Sequence, residues 1–145
     1  MKITTTFIDT SAWLAIIDPS NPDHFRAKTY FEYLLERDAK LVTNNIVIDE
    51  TLDALKQIQG VELAAKFNQI VDEALLTIKL RMDWISRRIR RTAINNFLRS
   101  SNPSLRMRHF FIKETLKRKK VDIIFSFDQT LSEFNLPLMP QAELK

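Results

Sequence analysis

The chain contains no cysteine and only one glycine among its 145 residues. Without thiols it can form no disulfide, no thiolate metal site and no cysteine nucleophile, so any metal must be held by carboxylate or imidazole groups. Because Gly60 stands alone, the chain also lacks a glycine-rich loop that could cradle a phosphate. These absences favour hard cations bound through oxygen.

Long apolar runs and linker-like segments are absent too. No apolar run approaches the roughly 20 residues needed to span a bilayer, and residues 1–8 lack the basic start and long apolar stretch of a signal peptide. We therefore expect a cytoplasmic protein that does not contact a membrane. The chain has 45% hydrophobic residues, including ten Phe, which is enough for one core. A single domain over residues 1–145 is expected.

Positive charge is concentrated in one block of the chain. Residues 81–120 contain thirteen Lys or Arg and two acidic residues, a net charge of +11, whereas the remainder has nine basic and sixteen acidic residues, a net charge of −7. This asymmetry predicts a basic surface for a polyanion beside a separate acidic region. The alternative is a pair of solvated helices without such a partner. The candidate nucleic-acid-binding residues are Arg87, Arg88, Arg90, Arg91, Arg106, Arg108, Lys113 and Lys117.

Strand-like and helix-like segments alternate along the chain. Apolar, β-branched runs predict strands over residues 3–8, 41–43, 76–80 and 123–127. Between them, apolar spacing and capping residues predict helices over residues 11–17, 23–37, 45–59, 61–75, 83–101 and 106–119. This alternation predicts an α/β fold, a three-layer α/β/α sandwich around a central, mainly parallel sheet.

Three carboxylates are placed where such a fold could bring them together. Asp9 and Asp128 each follow a predicted strand, and ligands in open α/β sheets bind beyond the carboxyl ends of the strands. Glu50 interrupts the apolar stripe of its predicted helix between Val47 and Ala54. The alternatives are that each Asp only caps a helix and that Glu50 reaches solvent from the margin of the stripe.

Convergence of these groups has a chemical consequence. Three carboxylates with no Lys or Arg nearby would repel one another unless a divalent cation neutralised them, and Mg²⁺ or Mn²⁺ suits an all-oxygen site. Such a cation can orient a water, lower its pKa and stabilise charge on a phosphate. Asp9, Glu50 and Asp128 are therefore candidate metal ligands and catalytic residues for phosphodiester hydrolysis. Ser11 and Asp9 lack a suitably placed His and form no catalytic triad.

Three segments together resemble a known family. FIDTSAWLAIID, VTNNIVIDETLDAL and IIFSFDQTLSEFNL occur in that order, and they are similar to the first motif, the acidic helix and the closing strand of PIN domains. The resemblance is closest to VapC-type toxin ribonucleases of toxin–antitoxin pairs. It implies a PIN-like fold, an Mg²⁺- or Mn²⁺-dependent endoribonuclease with a site at Asp9, Glu50 and Asp128, and support from Ser11 by hydrogen bonds. It also implies RNA as substrate, an antitoxin partner and a homodimer.

The chain departs from this family at one position. The segment SLRMRHFFIKETL places His109 where the family usually has a further Asp. An imidazole can ligate Mn²⁺ or softer metals but adds no negative charge, so His109 is a candidate fourth ligand, and the alternative is a neutral, hydrogen-bonded residue beside the pocket. A catalytically degenerate RNA- or protein-binding module is the competing function, and a pure interaction scaffold is a third.

Overall fold

Strands and helices alternate from the first to the last element of the computed structural model, which describes residues 4–141. In chain order these are β1 (Thr5–Ile8), α1 (Thr10–Ile17), α2 (His24–Glu36), β2 (Lys40–Asn44), α3 (Asn45–Gln59), α4 (Val61–Leu76), β3 (Leu80–Asp83), α5 (Arg87–Arg99), α6 (Met107–Arg118), β4 (Ile123–Phe125), a 3₁₀ helix (Gln129–Phe134) and β5 (Leu138–Met139). Ile3, at the start of the first predicted strand, lies outside the described residues.

The described strands form one parallel sheet in the order β3-β2-β1-β4-β5. With helices packed on it, the sheet makes the three-layer α/β sandwich that the sequence predicted. Ile8 at the end of β1 pairs with Phe125 at the end of β4. The polar residues that follow these two strands are therefore brought to the same edge.

Two apolar clusters hold the layers together. The larger contains Phe7, Ile124 and Phe125, all fully buried, as expected for parallel strands covered on both faces. The smaller packs α5 against α6, with Phe97 and Phe110 in a T-shaped contact at 5.8 Å between ring centroids. No helix within residues 4–141 is long and apolar enough to cross a membrane.

The third strand lies further along the chain than predicted. Leu76 and Ile78 alternate like strand residues, but their side chains are 84% and 69% exposed, and Ile78 has a φ of 62° in the turn after α4. Leu80 is instead buried, and it begins β3. Burial against the sheet, which local alternation does not report, decides where this strand lies.

The helix predicted to begin at residue 83 begins at Arg87, and Asp83 does not cap it. Asp83 ends β3, is 3% exposed, and accepts hydrogen bonds from Thr115 at 2.7 Å and from Arg118. Ser86 caps α5 instead, because its hydroxyl accepts the backbone N–H of Ile89 at 3.3 Å. The last predicted strand also ends early, since β4 stops at residue 125.

Candidate active site

Asp9, Glu50 and Asp128 lie together at the carboxyl edge of the sheet. Asp9 directly follows β1 and is fully buried, and its backbone N–H donates to Phe125 at 3.0 Å. Asp128 follows β4 by three residues. Glu50 lies on α3, which begins immediately after β2 and is capped by the Asn44 side chain. The three carboxylates thus come from the ends of three adjacent strands.

A single cationic group contacts all three carboxylates. Arg108, in the first turn of α6, donates from Nη2 to Asp9 Oδ1 at 2.5 Å, from Nε to Glu50 Oε2 at 3.1 Å and from Nη1 to Asp128 Oδ2 at 3.0 Å. The Arg108 side chain is 21% exposed and that of Asp9 is 1% exposed. Arg108 therefore provides the counter-charge of the acidic cluster.

This contact overturns two expectations from the sequence. The carboxylates were expected to have no basic residue nearby, yet Arg108 lies between them. Arg108 was also expected on the nucleic-acid-binding surface, and its guanidinium faces the carboxylates instead. Burial lowers the pKa of Arg108, but the negative charges of Asp9 and Glu50 outweigh burial and raise that pKa above its ordinary value. The guanidinium stays charged.

Two serines fix the orientation of Asp9. Ser126 donates from Oγ to Asp9 Oδ2 at 2.8 Å and accepts the backbone N–H of Asp128 at 3.0 Å. Since that hydroxyl proton is committed to Asp9, the 3.0 Å contact between Ser11 Oγ and Ser126 Oγ has Ser11 as donor. Ser11 also accepts the backbone N–H of Phe127 at 2.8 Å. Asp9 itself makes no side-chain cap bond to α1, so the plain cap role does not describe it.

His109 lies beside the cluster with both ring nitrogens engaged. The backbone N–H of Arg106 donates to Nδ1 at 2.9 Å, and Nε2 lies 2.9 Å from Asp128 Oδ2. Because a backbone N–H can only donate, Nδ1 is the acceptor and Nε2 carries the proton that it donates to Asp128. This geometry favours the alternative of a neutral, hydrogen-bonded imidazole over that of a metal ligand.

Asp128 is held in its ionised form by its neighbours. Burial raises its pKa, but the hydrogen bond from His109, the backbone N–H of Thr130 and the charge of Arg108 together lower the pKa below its ordinary value. The bond to Thr130, at 3.0 Å, also caps the 3₁₀ helix. Asp128 thus serves both as a cap and as a member of the cluster.

The cluster presents carboxylate oxygens, the type of ligand atom that binds hard divalent cations. Carboxylate oxygens are the ligands that Mg²⁺ and Mn²⁺ prefer, and Asp9, Glu50 and Asp128 already converge on one cationic group. Within the described residues 4–141, no group of three or more acidic or His side chains is arranged to hold a metal ion. The residues fit such a cation by chemistry, and Arg108 occupies the position between them.

The predicted nucleic-acid-binding residues other than Arg108 are exposed, and we call them the basic surface. Its members, all exposed on or next to α5 and α6, are Arg87, Arg88, Arg90, Arg91, Arg106, Lys113 and Lys117. Not every basic residue of the 81–120 block belongs to it, because Arg108 pairs with the acidic cluster and Arg118 pairs with the buried Asp83. The basic surface is therefore smaller than the sequence count implied.

The fold matches solved structures over nearly its whole length. Mycobacterium tuberculosis VapC20, described as a sarcin-ricin loop cleaving toxin, matches with a TM-score of 0.77 and 19% sequence identity, over 90% of this chain and 95% of that one. The chain has the PIN-domain fold. FitAB bound to an IR36 DNA fragment matches with a TM-score of 0.64 and 11% identity, over 96% of this chain and 98% of that one. No family model and no curated protein matches the sequence.

These matches confirm the resemblance to PIN domains and to VapC-type proteins at the level of the fold. Sequence reasoning had not found three contributors to the site of this PIN-domain fold: Arg108 as counter-charge, Ser126 beneath Asp9, and Thr10, which donates to Glu50 Oε1 at 3.0 Å. Ser126 carried one signal, since it follows β4 as Asp9 follows β1. Nothing in the segment RMRH indicates whether the side chain of Arg106 or that of Arg108 contacts the acidic cluster.

Proposed function

We propose that this chain is a toxin-like endoribonuclease that cleaves RNA phosphodiester bonds with Mg²⁺ or Mn²⁺ held by Asp9, Glu50 and Asp128. The observation that carries the proposal is the convergence of these three carboxylates on one cation position at the carboxyl edge of the sheet. The likeness to VapC20, a toxin described as cleaving the sarcin-ricin loop, supports RNA as the substrate.

The residues of the site have separate roles in this proposal. Ser126 and Ser11 hold Asp9 in a fixed orientation, and His109 orients Asp128 through Nε2. Thr10 donates to Glu50. When bound, the cation would activate a water and stabilise charge on the phosphate. Of the three carboxylates only Asp9 is fully shielded from water, with its side chain 1% exposed, and electrostatic interactions are strongest at such a buried group.

The basic surface supplies affinity for the RNA backbone in this proposal. Its seven exposed cationic side chains flank the α6 helix that carries Arg108 into the site. Contacts with phosphates give affinity without sequence specificity. The choice of RNA target is therefore expected to depend on the shape and single-stranded character of the substrate rather than on this surface.

Cleavage of a single-stranded RNA oligonucleotide with Mg²⁺, Mn²⁺ or EDTA tests the proposal. Wild type should cleave with Mn²⁺ or Mg²⁺ and not with EDTA, and Asp9→Asn should not cleave. Glu62→Gln, which changes an exposed carboxylate at the start of α4, is the matched control and should cleave like wild type. Cleavage by Asp9→Asn at the wild-type rate would contradict the proposed site.

A second function is favoured by one specific observation. Because Arg108 already contacts all three carboxylates and occupies the position between them, the chain could bind RNA through the basic surface without cutting it. Salt-sensitive RNA binding with no cleavage under any metal condition would establish this binding module.

An antitoxin partner and a homodimer are further parts of the proposal. Co-purification with the product of an adjacent small gene tests the antitoxin, and light scattering of the purified chain tests the homodimer.

A further inference from the structure

We propose that Arg108 is a built-in competitor of the divalent cation, so that a metal binds Asp9, Glu50 and Asp128 only when the guanidinium leaves. This inference rests on the proposed metal site. It starts from the three-fold contact, in which each guanidinium nitrogen bonds a different carboxylate. One side chain thus engages every proposed ligand at once.

The hydrogen bonds leave no acidic oxygen of the cluster without a partner. Asp9 Oδ1 is bonded by Arg108 and Oδ2 by Ser126. Both oxygens of Glu50 are bonded by Arg108, and Oε1 also accepts from Thr10. Asp128 Oδ2 is bonded by Arg108 and by His109, and Oδ1 accepts the backbone N–H of Thr130. A cation entering between the carboxylates must replace the Arg108 bonds, because Arg108 contacts all three carboxylates at once.

Electrostatics makes the two occupants exclusive. A divalent cation among these carboxylates would lie within a few ångströms of the guanidinium, and like charges so close together in a partly buried site repel strongly. Arg108 can leave because its long side chain is 21% exposed and it lies in the first turn of α6. A rotation of that side chain takes the charge to solvent without unfolding the helix.

Competition has a measurable consequence for metal affinity. A ligand that must displace a bound group binds more weakly, because the free energy with which that group was bound is subtracted from the ligand's own binding free energy. We expect Arg108→Gln to bind Mn²⁺ at least about tenfold more tightly than wild type, which corresponds to about 1.4 kcal/mol. Arg108→Lys, which keeps the charge but cannot span three carboxylates, should fall between the two.

Isothermal titration with MnCl₂ and no RNA tests this without any measurement of activity. Lys113→Gln, which removes one exposed positive charge from the same helix, is the matched control and should keep the wild-type affinity. Asp9→Asn added to Arg108→Gln should abolish the gain, which assigns the bound ion to this cluster. If Arg108→Gln does not fold without metal, its refolding on addition of Mn²⁺ is followed by circular dichroism instead. The Mn²⁺ affinity of Arg108→Lys is then compared with that of wild type by titration.

The outcomes separate this inference from the proposal beneath it. Tighter binding by Arg108→Gln, with Lys113→Gln at the wild-type affinity, supports competition. Equal, measurable affinities of wild type and Arg108→Gln overturn competition and leave the metal site in place. If neither protein binds Mn²⁺, the proposed metal site itself is wrong, and competition falls with it.

Discussion

Replacement of Arg108 by Gln should destabilise the metal-free protein strongly. The change leaves Asp9, with a side chain 1% exposed, as a buried carboxylate without its counter-charge, and removing one partner of a buried ion pair costs about 3–5 kcal/mol. The side chains of Glu50 and Asp128 are 34% and 27% exposed, so solvent screens them and each adds less than about 1 kcal/mol. Because Ser126 still donates to Asp9, we expect a loss of about 3 kcal/mol, at the low end of the buried-pair range.

Urea unfolding followed by circular dichroism in EDTA measures this loss. For a chain of this size, about 3 kcal/mol corresponds to a fall in Tm of roughly 10 °C. Lys113→Gln should change the free energy of unfolding by no more than about 0.5 kcal/mol, as exposed substitutions do. In an Asp9→Asn background the cost of Arg108→Gln should shrink by about 2 kcal/mol, because contacting residues are coupled. A cost below about 1 kcal/mol, or no coupling, would show that Arg108 does not neutralise Asp9 in solution.

Three further predictions concern the same described residues. Asp9→Asn should lower the free energy of unfolding in EDTA, since it deprives Arg108 of its buried partner; an increase, which repulsion among unpaired carboxylates would give, would contradict the ion pair. Changing Arg87, Arg88, Arg90 and Arg91 together to Ser should weaken RNA binding and flatten its salt dependence by about 0.7 in log affinity per lost phosphate contact on single strands, as measured by fluorescence anisotropy, and an unchanged slope would remove α5 from the interface. The hydrogen bond from the Ser20 hydroxyl is the largest cause that lowers the pKa of Asp18, so the ionised Asp18 stabilises the fold above about pH 3.9, and this stabilisation is lost as the pH falls through the lowered pKa. Asp18→Asn should therefore be less stable than wild type at pH 7, and its free energy of unfolding should fall less steeply in acid. Parallel profiles of unfolding free energy against pH would refute this.

The convergence of Asp9, Glu50 and Asp128 could be predicted because parallel topology alone determines it. Once β1 and β4 are neighbouring parallel strands, the residues that follow Ile8 and Phe125 must share an edge. Glu50 follows from helical spacing, because it interrupts an apolar stripe on the helix after β2. These inferences need the periodicity of the helices and strands, which the sequence expresses directly, and the pairing of β1 with β4, which the structure supplies.

The role of Arg108 could not be predicted in the same way. Its side chain reaches three elements separated by 99, 58 and 20 residues in the chain, so its contacts depend on how α6 approaches the sheet edge. Arg106 and Arg108 look alike in sequence, yet one is exposed and the other pairs inside the cluster. The ion pair of Asp83 could not be predicted for the same reason, because its partner Arg118 lies 35 residues away in the chain. Local patterns assign such residues to caps or solvent by default.

Arg108 and His109 both bond Asp128 Oδ2, and these contacts stabilise the cluster without a metal; His109→Asp tests this. His109 donates a neutral hydrogen bond to Asp128 Oδ2 at 2.9 Å, so a carboxylate in its place would face another carboxylate at close range. One guanidinium would then face four carboxylates, which leaves a net charge of −3. We expect His109→Asp in EDTA to lose about 1–3 kcal/mol of unfolding free energy, the usual range for a single destabilising change. Mg²⁺ should recover much of that loss, because a ligand that binds only the folded state stabilises it.

Thermal melts of His109→Asp with and without MgCl₂ measure this, and His109→Asn, which removes the imidazole without adding charge, is the control. The Asn variant should be destabilised without a matching response to Mg²⁺, since it adds no anionic oxygen for the cation. Equal responses of the two variants would mean that position 109 does not face the cation position. A large response of the Asp variant alone would show that the balance between guanidinium and cation depends on the number of carboxylates around the cation position.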